Sequence, residues 1–389
     1  NYRNAVEIYL ENDEKKTAMD LAIEGDHLEC VEALHQEGHF NIILRRNKDS
    51  FGLLYHAAGL SDLSIAKYFT RQGLILNQKE KKSLMSTVLQ EGNIELAKFL
   101  HEHDFDFNEK NVYGMNYIHQ AVIENQPELI EYLKTIGLDI KETTEKGQNA
   151  LHFASQLQTD EMMKYLVLSK EVPYIKDVLS YEPIHIAAEK GSLEVVKFLR
   201  DIGKDITALG PEGKDCVILA IESQQLETIK FLRTHNKSNE LFPLHSAARV
   251  GNRKIFALLE RQGCSSTEVN HQGMDTMEVA IHYGQIDIIS DLKLGGYDMK
   301  RRKGENEDTL MHLAVESGHI RVLRFLHSEA SLSYRLTNNK GQTIVHLACE
   351  KGLLDIVKFL DKEGCNLDQK DDVGDSPIFY AIQSGYLNV

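Results

Sequence analysis

An all-α solenoid with short β-hairpins, made of about eleven complete two-helix repeats plus partial terminal repeats, is the fold class this sequence predicts. Three observations carry the prediction. A small apolar residue recurs at Ala22, Ala57, Val88, Ala121, Ala154, Ala187, Ala220, Ala247, Ala280, Ala314, Ala348 and Ala381, with most steps 33 or 34 residues long. Two short amphipathic patterns of helical period fill each interval. Glycines recur where each of those helices must stop, a position that tolerates left-handed backbone without a side-chain penalty.

The copy that begins at Glu182 shows the order of elements. Pro183 opens a first helix, whose inward face carries Ile184, Ala187 and Ala188. Proline suits a first helical turn because its missing N–H has no partner there in any case. Gly191 separates this helix from a second, with Leu193, Val196 and Leu199 at helical spacing, and Gly203 ends it. Pro243 and Pro377 occupy the place of Pro183, and Thr17, Thr309, Thr343 and Ser376 stand one residue ahead of it, where a hydroxyl can cap the coming helix. A single helix pair cannot bury its apolar face alone, so each repeat supplies a wall for the next.

This pattern resembles the ankyrin-repeat family, whose frame is roughly G-x-T-P-L-H-x-A, then G-H-x-x-V-x-x-L-L, then a hairpin. The resemblance covers nearly the whole chain. It implies a long concave surface of hairpins and first helices, open to a protein partner. It also assigns His119, His152, His185, His245, His312 and His346 to the family's histidine slot, where the ring joins local and inter-repeat hydrogen bonds. Successive rings then fall about 10 Å apart, one helix width per repeat. Zinc needs nitrogens near 2 Å, so the histidines read as a structural column, not a metal site.

Other chemistry is thin. His35 and His39 straddle Gly38 without a companion carboxylate motif, and His101, His103 and His319 fit turns and helix ends. No phosphate-binding loop, dinucleotide fingerprint or nucleophile elbow is present, so no catalytic residue, cofactor or metal is assigned. The formal charge of -15 argues against nucleic acid as a general partner, and no apolar run is long enough to insert in a membrane. Cys30, Cys216, Cys264, Cys349 and Cys365 have neither clamp nor framework spacing, which suits a reducing compartment such as the cytoplasm.

Departures from the frame mark what is particular to this chain. The step from Ala220 to Ala247 is only 27 residues, so a full hairpin does not fit around 236–241. That is either a trimmed loop or a bend dividing an N-terminal block, 1–236, from a C-terminal block, 237–389. Lys300, Arg301, Arg302 and Lys303 concentrate four bases at a hairpin tip, either as a solvated face or as a contact for an acidic element of a partner. Phe40, Ile42, Ile43 and Leu44 make the first connection unusually apolar. Phe105, Phe107, Tyr113, Met115 and Tyr117 crowd another, and Tyr113 and Met115 flank Gly114 where side chains can face the concavity and anchor a protein. Neither end carries an evident polar cap, as expected of a segment from a longer array or a multidomain protein.

These observations favour a protein–protein interaction scaffold or adaptor that binds one or more proteins and is not itself an enzyme; its oligomeric state stays open. Two alternatives remain at this level: the substrate- or host-target-recognition region of a larger enzyme, or a cytoplasmic architectural region of a channel or membrane protein. Secreted bacterial effectors use the same architecture, and such a chain would act in host cytoplasm.

Overall fold

The computed structural model describes residues 12, 16–36, 53–60, 62–236 and 241–386. They fall in two compact units, Asn1–Pro183 and Ile184–Val389. In the first unit helices come in five pairs: α1 (Ala18–Glu24) with α2 (Leu28–Leu34), α3 (Leu53–Ala58) with α4 (Ser64–Arg71), α5 (Gln78–Glu91) with α6 (Ile94–Glu102), α7 (Tyr117–Ile123) with α8 (Pro127–Thr135), and α9 (Ala150–Ala154) with α10 (Glu161–Ser169). First helices stack on first helices (α1 on α3, α3 on α5, α5 on α7, α7 on α9), and α2 packs on α4 and α6 on α8.

The second unit continues the design. Its pairs are α11 (Pro183–Lys190) with α12 (Leu193–Asp201), α13 (Cys216–Glu222) with α14 (Leu226–His235), α15 (Pro243–Val250) with α16 (Arg253–Arg261), and α17 (Thr276–His282) with α18 (Ile286–Leu294). Strands β1 (Arg302–Lys303) and β2 (Asp308–Thr309) precede α19 (Leu310–Glu316) with α20 (Ile320–Ser328), α21 (Ile344–Glu350) with α22 (Leu354–Lys362), and the unpaired α23 (Pro377–Gln383). Eleven helix pairs among the described residues match the repeat count read from the sequence.

The period places the core. In the repeat of α11 and α12, Ile184, Ala187, Ala188, Val196 and Leu199 are all fully buried, with Val195 beside them. Gly203, just past α12, has φ +86°, a conformation that side chains resist. Gly251 lies between α15 and α16 with φ +78°, and a Cβ there would overlap Gln285 Oε1. The space is used: Gln285 Nε2 donates to the Arg249 carbonyl at 2.9 Å, tying one inter-helix turn to the next.

The connections are short hairpin turns: Asn111, Thr144, Asp177, Asn270, Asn338 and Asp371 each donate the backbone N–H to the carbonyl four residues on. Among the described residues one antiparallel strand pair forms, with Arg302 opposite Thr309 and Lys303 opposite Asp308. The other fingers are mostly hydrogen-bonded turns, such as Gly147 N to Thr144 O at 2.9 Å. Ser376 makes no capping bond with its hydroxyl, in contrast to Thr17, whose oxygen accepts from Asp20 N.

Around the short step, residues 236–242 separate α14 from α15, where 202–215 separate α12 from α13. Residues 237–240 of this join lie outside the described residues. The stack runs through it: α13 packs on α15 and α14 on α16, so the 236/237 boundary read from the sequence falls inside the second unit. Asn236 is buried and donates to Asp215 Oδ2 at 3.2 Å. Phe242 enters α15 at φ +51°, a strained value for a bulky residue. His39, Phe40, Ile42, Ile43 and Leu44 also lie outside the described residues.

Candidate protein-binding face

The histidine column fixes the face from which the fingers rise. His119, His152, His185, His245, His312 and His346 are each on a first helix and buried. Their Nε2 atoms lie 2.8–3.2 Å from the carbonyls of Glu142, Tyr181, Ala208, Met274, Gln342 and Asp375 in the following finger. A carbonyl only accepts, so Nε2 carries the proton, and at His119, His312 and His346 Nδ1 is left to accept. The Thr309 and Thr343 hydroxyls donate to Nδ1 of His312 and His346 at 2.8 Å, and Asn116 N donates to His119 Nδ1 at 3.2 Å. Burial pushes His119, His152, His245, His312 and His346 below the usual imidazole range, which keeps them neutral. These rings therefore hold fingers to helices, the role the family resemblance gave them. No group of three or more His, Cys, Asp or Glu among the described residues is placed to hold a metal ion.

Several repeats lack the histidine, with Asp20, Tyr55, Ile218, Glu278 and Phe379 in its slot, and one of them replaces the pair with two buried acids. On α17 the threonine and histidine slots hold Asp275 and Glu278, which cap reciprocally: Glu278 N donates to Asp275 Oδ1 at 3.0 Å, and Asp275 N to Glu278 Oε2 at 2.8 Å. Asp275 is fully buried and Glu278 is 3% exposed. Two carboxylates so placed require counter-charges. The next finger brings them. Tyr297 Oη donates to Asp275 Oδ2 at 2.6 Å, Arg301 Nη1 to the same oxygen at 2.8 Å, and Lys303 Nζ to Glu278 Oε2 and the Gly273 carbonyl. Burial, with Asp275 beside it, pushes the Tyr297 phenol up, so it stays a donor.

The four-base tip is thus two sets of residues. Alternation along an extended strand sends Arg301 and Lys303 to one side and Arg302 to the other. Arg302 Nη1 donates to the Thr337 carbonyl at 2.9 Å. Lys300 is exposed and forms no ion pair among the described residues. Of the four charges, those of Arg301 and Lys303 already answer buried acids inside the fold.

In the first unit the aromatic connection also divides. Phe105, Phe107 and Tyr117 are buried, with ring centroids 4.9 Å apart for the two phenylalanines and 5.6 Å between Phe105 and Tyr117. Tyr113 is 68% exposed at the finger tip, next to Val112, while Met115 is half-buried and donates its N–H to Asn111 Oδ1 at 3.0 Å. Two fingers on, Val178 and Leu179 are also exposed tip residues, which the sequence reading did not single out. Asp177-Val178-Leu179 falls in register with Asn111-Val112-Tyr113, so aligning the fingers would have found them. Val178 N donates to the Lys146 carbonyl at 2.9 Å, so neighbouring tips are tied together.

In the second unit a cavity of about 420 Å³ opens on the same kind of face, between the fingers and α17, α19 and α21. Leu313 and Leu347 reach into it, both half-buried, and Glu316 and Glu350 stand beside them. Its wall includes Glu278, Arg301 and Lys303, the ionic cluster described above. No spacing in the sequence announces this cavity.

The family profile described as "Ankyrin repeats (3 copies)" matches residues 54–144, 118–210, 184–272, 276–371 and 311–389. A Saccharomyces cerevisiae protein described as "Probable 26S proteasome regulatory subunit p28" is 30% identical over 178 residues, covering 41% of this chain and 77% of the relative. Mouse Rabankyrin-5 is 26% identical over 167 residues, 41% of this chain but only 14% of its own length. Among solved structures, the human ASB11 ankyrin repeat domain aligns with a TM-score of 0.44 at 21% identity, over 50% of this chain and 90% of that one. No helix among the described residues is long and apolar enough to cross a membrane.

Proposed function

Since the chain belongs to the ankyrin-repeat family, whose general work is protein–protein interaction, we propose that it is a scaffold or adaptor that holds partners on its finger and first-helix face. The observation that carries this reading is the division of labour between faces. Helix-on-helix stacking closes the core, yet Val112, Tyr113, Val178 and Leu179 remain exposed at finger tips. Apolar and aromatic side chains held on rigid turns anchor partners at little entropic cost. A relative named as a proteasome regulatory subunit also fits a working life in contact with other chains.

The test is affinity capture with the full chain as bait. Replacing Tyr113 and Met115 with serine should reduce capture of a defined partner while leaving the helical signal and melting behaviour unchanged. Serines at Glu227 and Lys230, an exposed ion pair on a second helix, should leave capture intact. Partners lost with the second-helix variant and kept by the finger variant would move the binding surface off this face.

A further inference from the structure

We infer that the cavity between α17, α19 and α21 receives a segment of a partner protein that couples an apolar side chain to lysine or arginine. The inference rests on the proposed use of the finger and first-helix face, and it names the chemistry of the occupant there. Leu313 and Glu316 on α19 lie three residues apart, as do Leu347 and Glu350 on α21, so each helix sets a leucine and a carboxylate on one face. The couple falls here in two successive repeats; Leu21 with Glu24 on α1 and Leu219 with Glu222 on α13 share its register, but Lys16 pairs Glu24, and Lys214 and Arg249 pair Glu222. Val279 with His282 on α17 and Tyr380 with Gln383 on α23 do not continue it.

Charge decides what can sit over those leucines. Counting Asp275 behind the wall, five carboxylates (with Glu278, Asp308, Glu316 and Glu350) meet three cations, Arg301, Lys303 and Lys351. Arg301 and Lys303 are engaged by Asp275 and Glu278, which are more deeply buried than any visiting acid would be. Lys351 reaches Glu316 only at 4.0 Å. Among the described residues Glu350 forms no ion pair. The cavity thus offers half-covered apolar surface beneath two under-compensated carboxylates. An acidic segment would meet repulsion there, and a wholly apolar one would desolvate Glu316 and Glu350 without replacing their water. A basic side chain beside an apolar one satisfies both, with charge-assisted hydrogen bonds to the glutamates.

Random peptides displayed on phage and selected on the full chain provide the test. Peptides that bind the wild-type chain and lose binding to Leu347→Ser occupy the cavity. These should be enriched in lysine and arginine next to leucine-like residues. Their synthetic, fluorescein-labelled forms should bind about tenfold more weakly to the Glu316→Gln/Glu350→Gln double variant. Glutamine keeps shape and exposure, so this variant separates charge from folding should Leu347→Ser prove unstable. Cavity peptides that are neutral or acidic, or that bind the double variant as tightly as the wild type, overturn the inference but leave the face itself in use. Selected peptides indifferent to Leu347→Ser, to the double glutamine variant and to Tyr113→Ser/Met115→Ser would remove both the inference and the proposed face.

Discussion

Removing Arg301 and Lys303 together should destabilise the repeats around α17, although both side chains are about 40% exposed and look like ordinary surface cations. The reason lies in their partners. Breaking a buried ion pair by deleting one side typically costs about 3–5 kcal/mol, because a charge is left in low dielectric. Here water reaches the cations and screens part of that loss. Asp275 also keeps the Tyr297 hydroxyl and a backbone N–H. The two losses share one network and will not add fully. For Arg301→Ala/Lys303→Ala we therefore expect about 2–4 kcal/mol, read as a lower urea midpoint with faster amide exchange over 275–309. Lys300→Ala, next to them, should stay within about 0.5 kcal/mol. The decisive arm restores the family residues. Asp275→Thr/Glu278→His on the doubly substituted background removes the stranded acids and should recover at least half of the loss. An unchanged midpoint in the first variant, or no recovery in the second, would refute the reading of this cluster as an internal counter-charge set.

Other outcomes follow from the same structure. His119, His152, His245, His312 and His346 have folded pKa values below 6.5, so the unfolded chain takes up protons first as pH falls. Their contribution is complete above about pH 6.5 and is lost below it, so the urea midpoint should drop between pH 7.5 and 5.5; a level profile would contradict it. Gly251→Ala combines a left-handed backbone with a clash on Gln285 and should cost about 2–4 kcal/mol by thermal or urea unfolding. Gly263→Ala, with φ +88° and nothing within 4 Å of the added Cβ, should cost only about 1–2 kcal/mol, and equal losses would argue that the Gln285 bond is unimportant. At the shortened join, amides over 226–235 should exchange faster than those over 193–201, and equal protection would show that a full finger adds nothing to coupling between repeats.

The sequence by itself determined the period, the helix pairs and the histidine column. Each of these depends on residues a few positions apart: a glycine that lets the chain turn, an alanine where helices meet, a hydroxyl and an imidazole three residues on. Such signals survive without knowing what lies across the next repeat. The finger tips were half legible in the same way. Gly114 marked Tyr113 as a tip residue, but burial of Phe107 and exposure of Leu179 depend on what the adjacent turn covers. Tertiary structure alone decided the fate of the basic run. Four consecutive bases look equivalent along the chain, yet Arg301 and Lys303 stand 26 and 25 residues from the carboxylates they satisfy, and only stacking brings those groups together. The acids at the threonine and histidine slots were the available clue, since buried carboxylates must find cations somewhere. Which cations they find, and therefore which charges the cavity still shows to a partner, is settled by the distance between side chains of successive repeats, and helical periodicity carries no record of it.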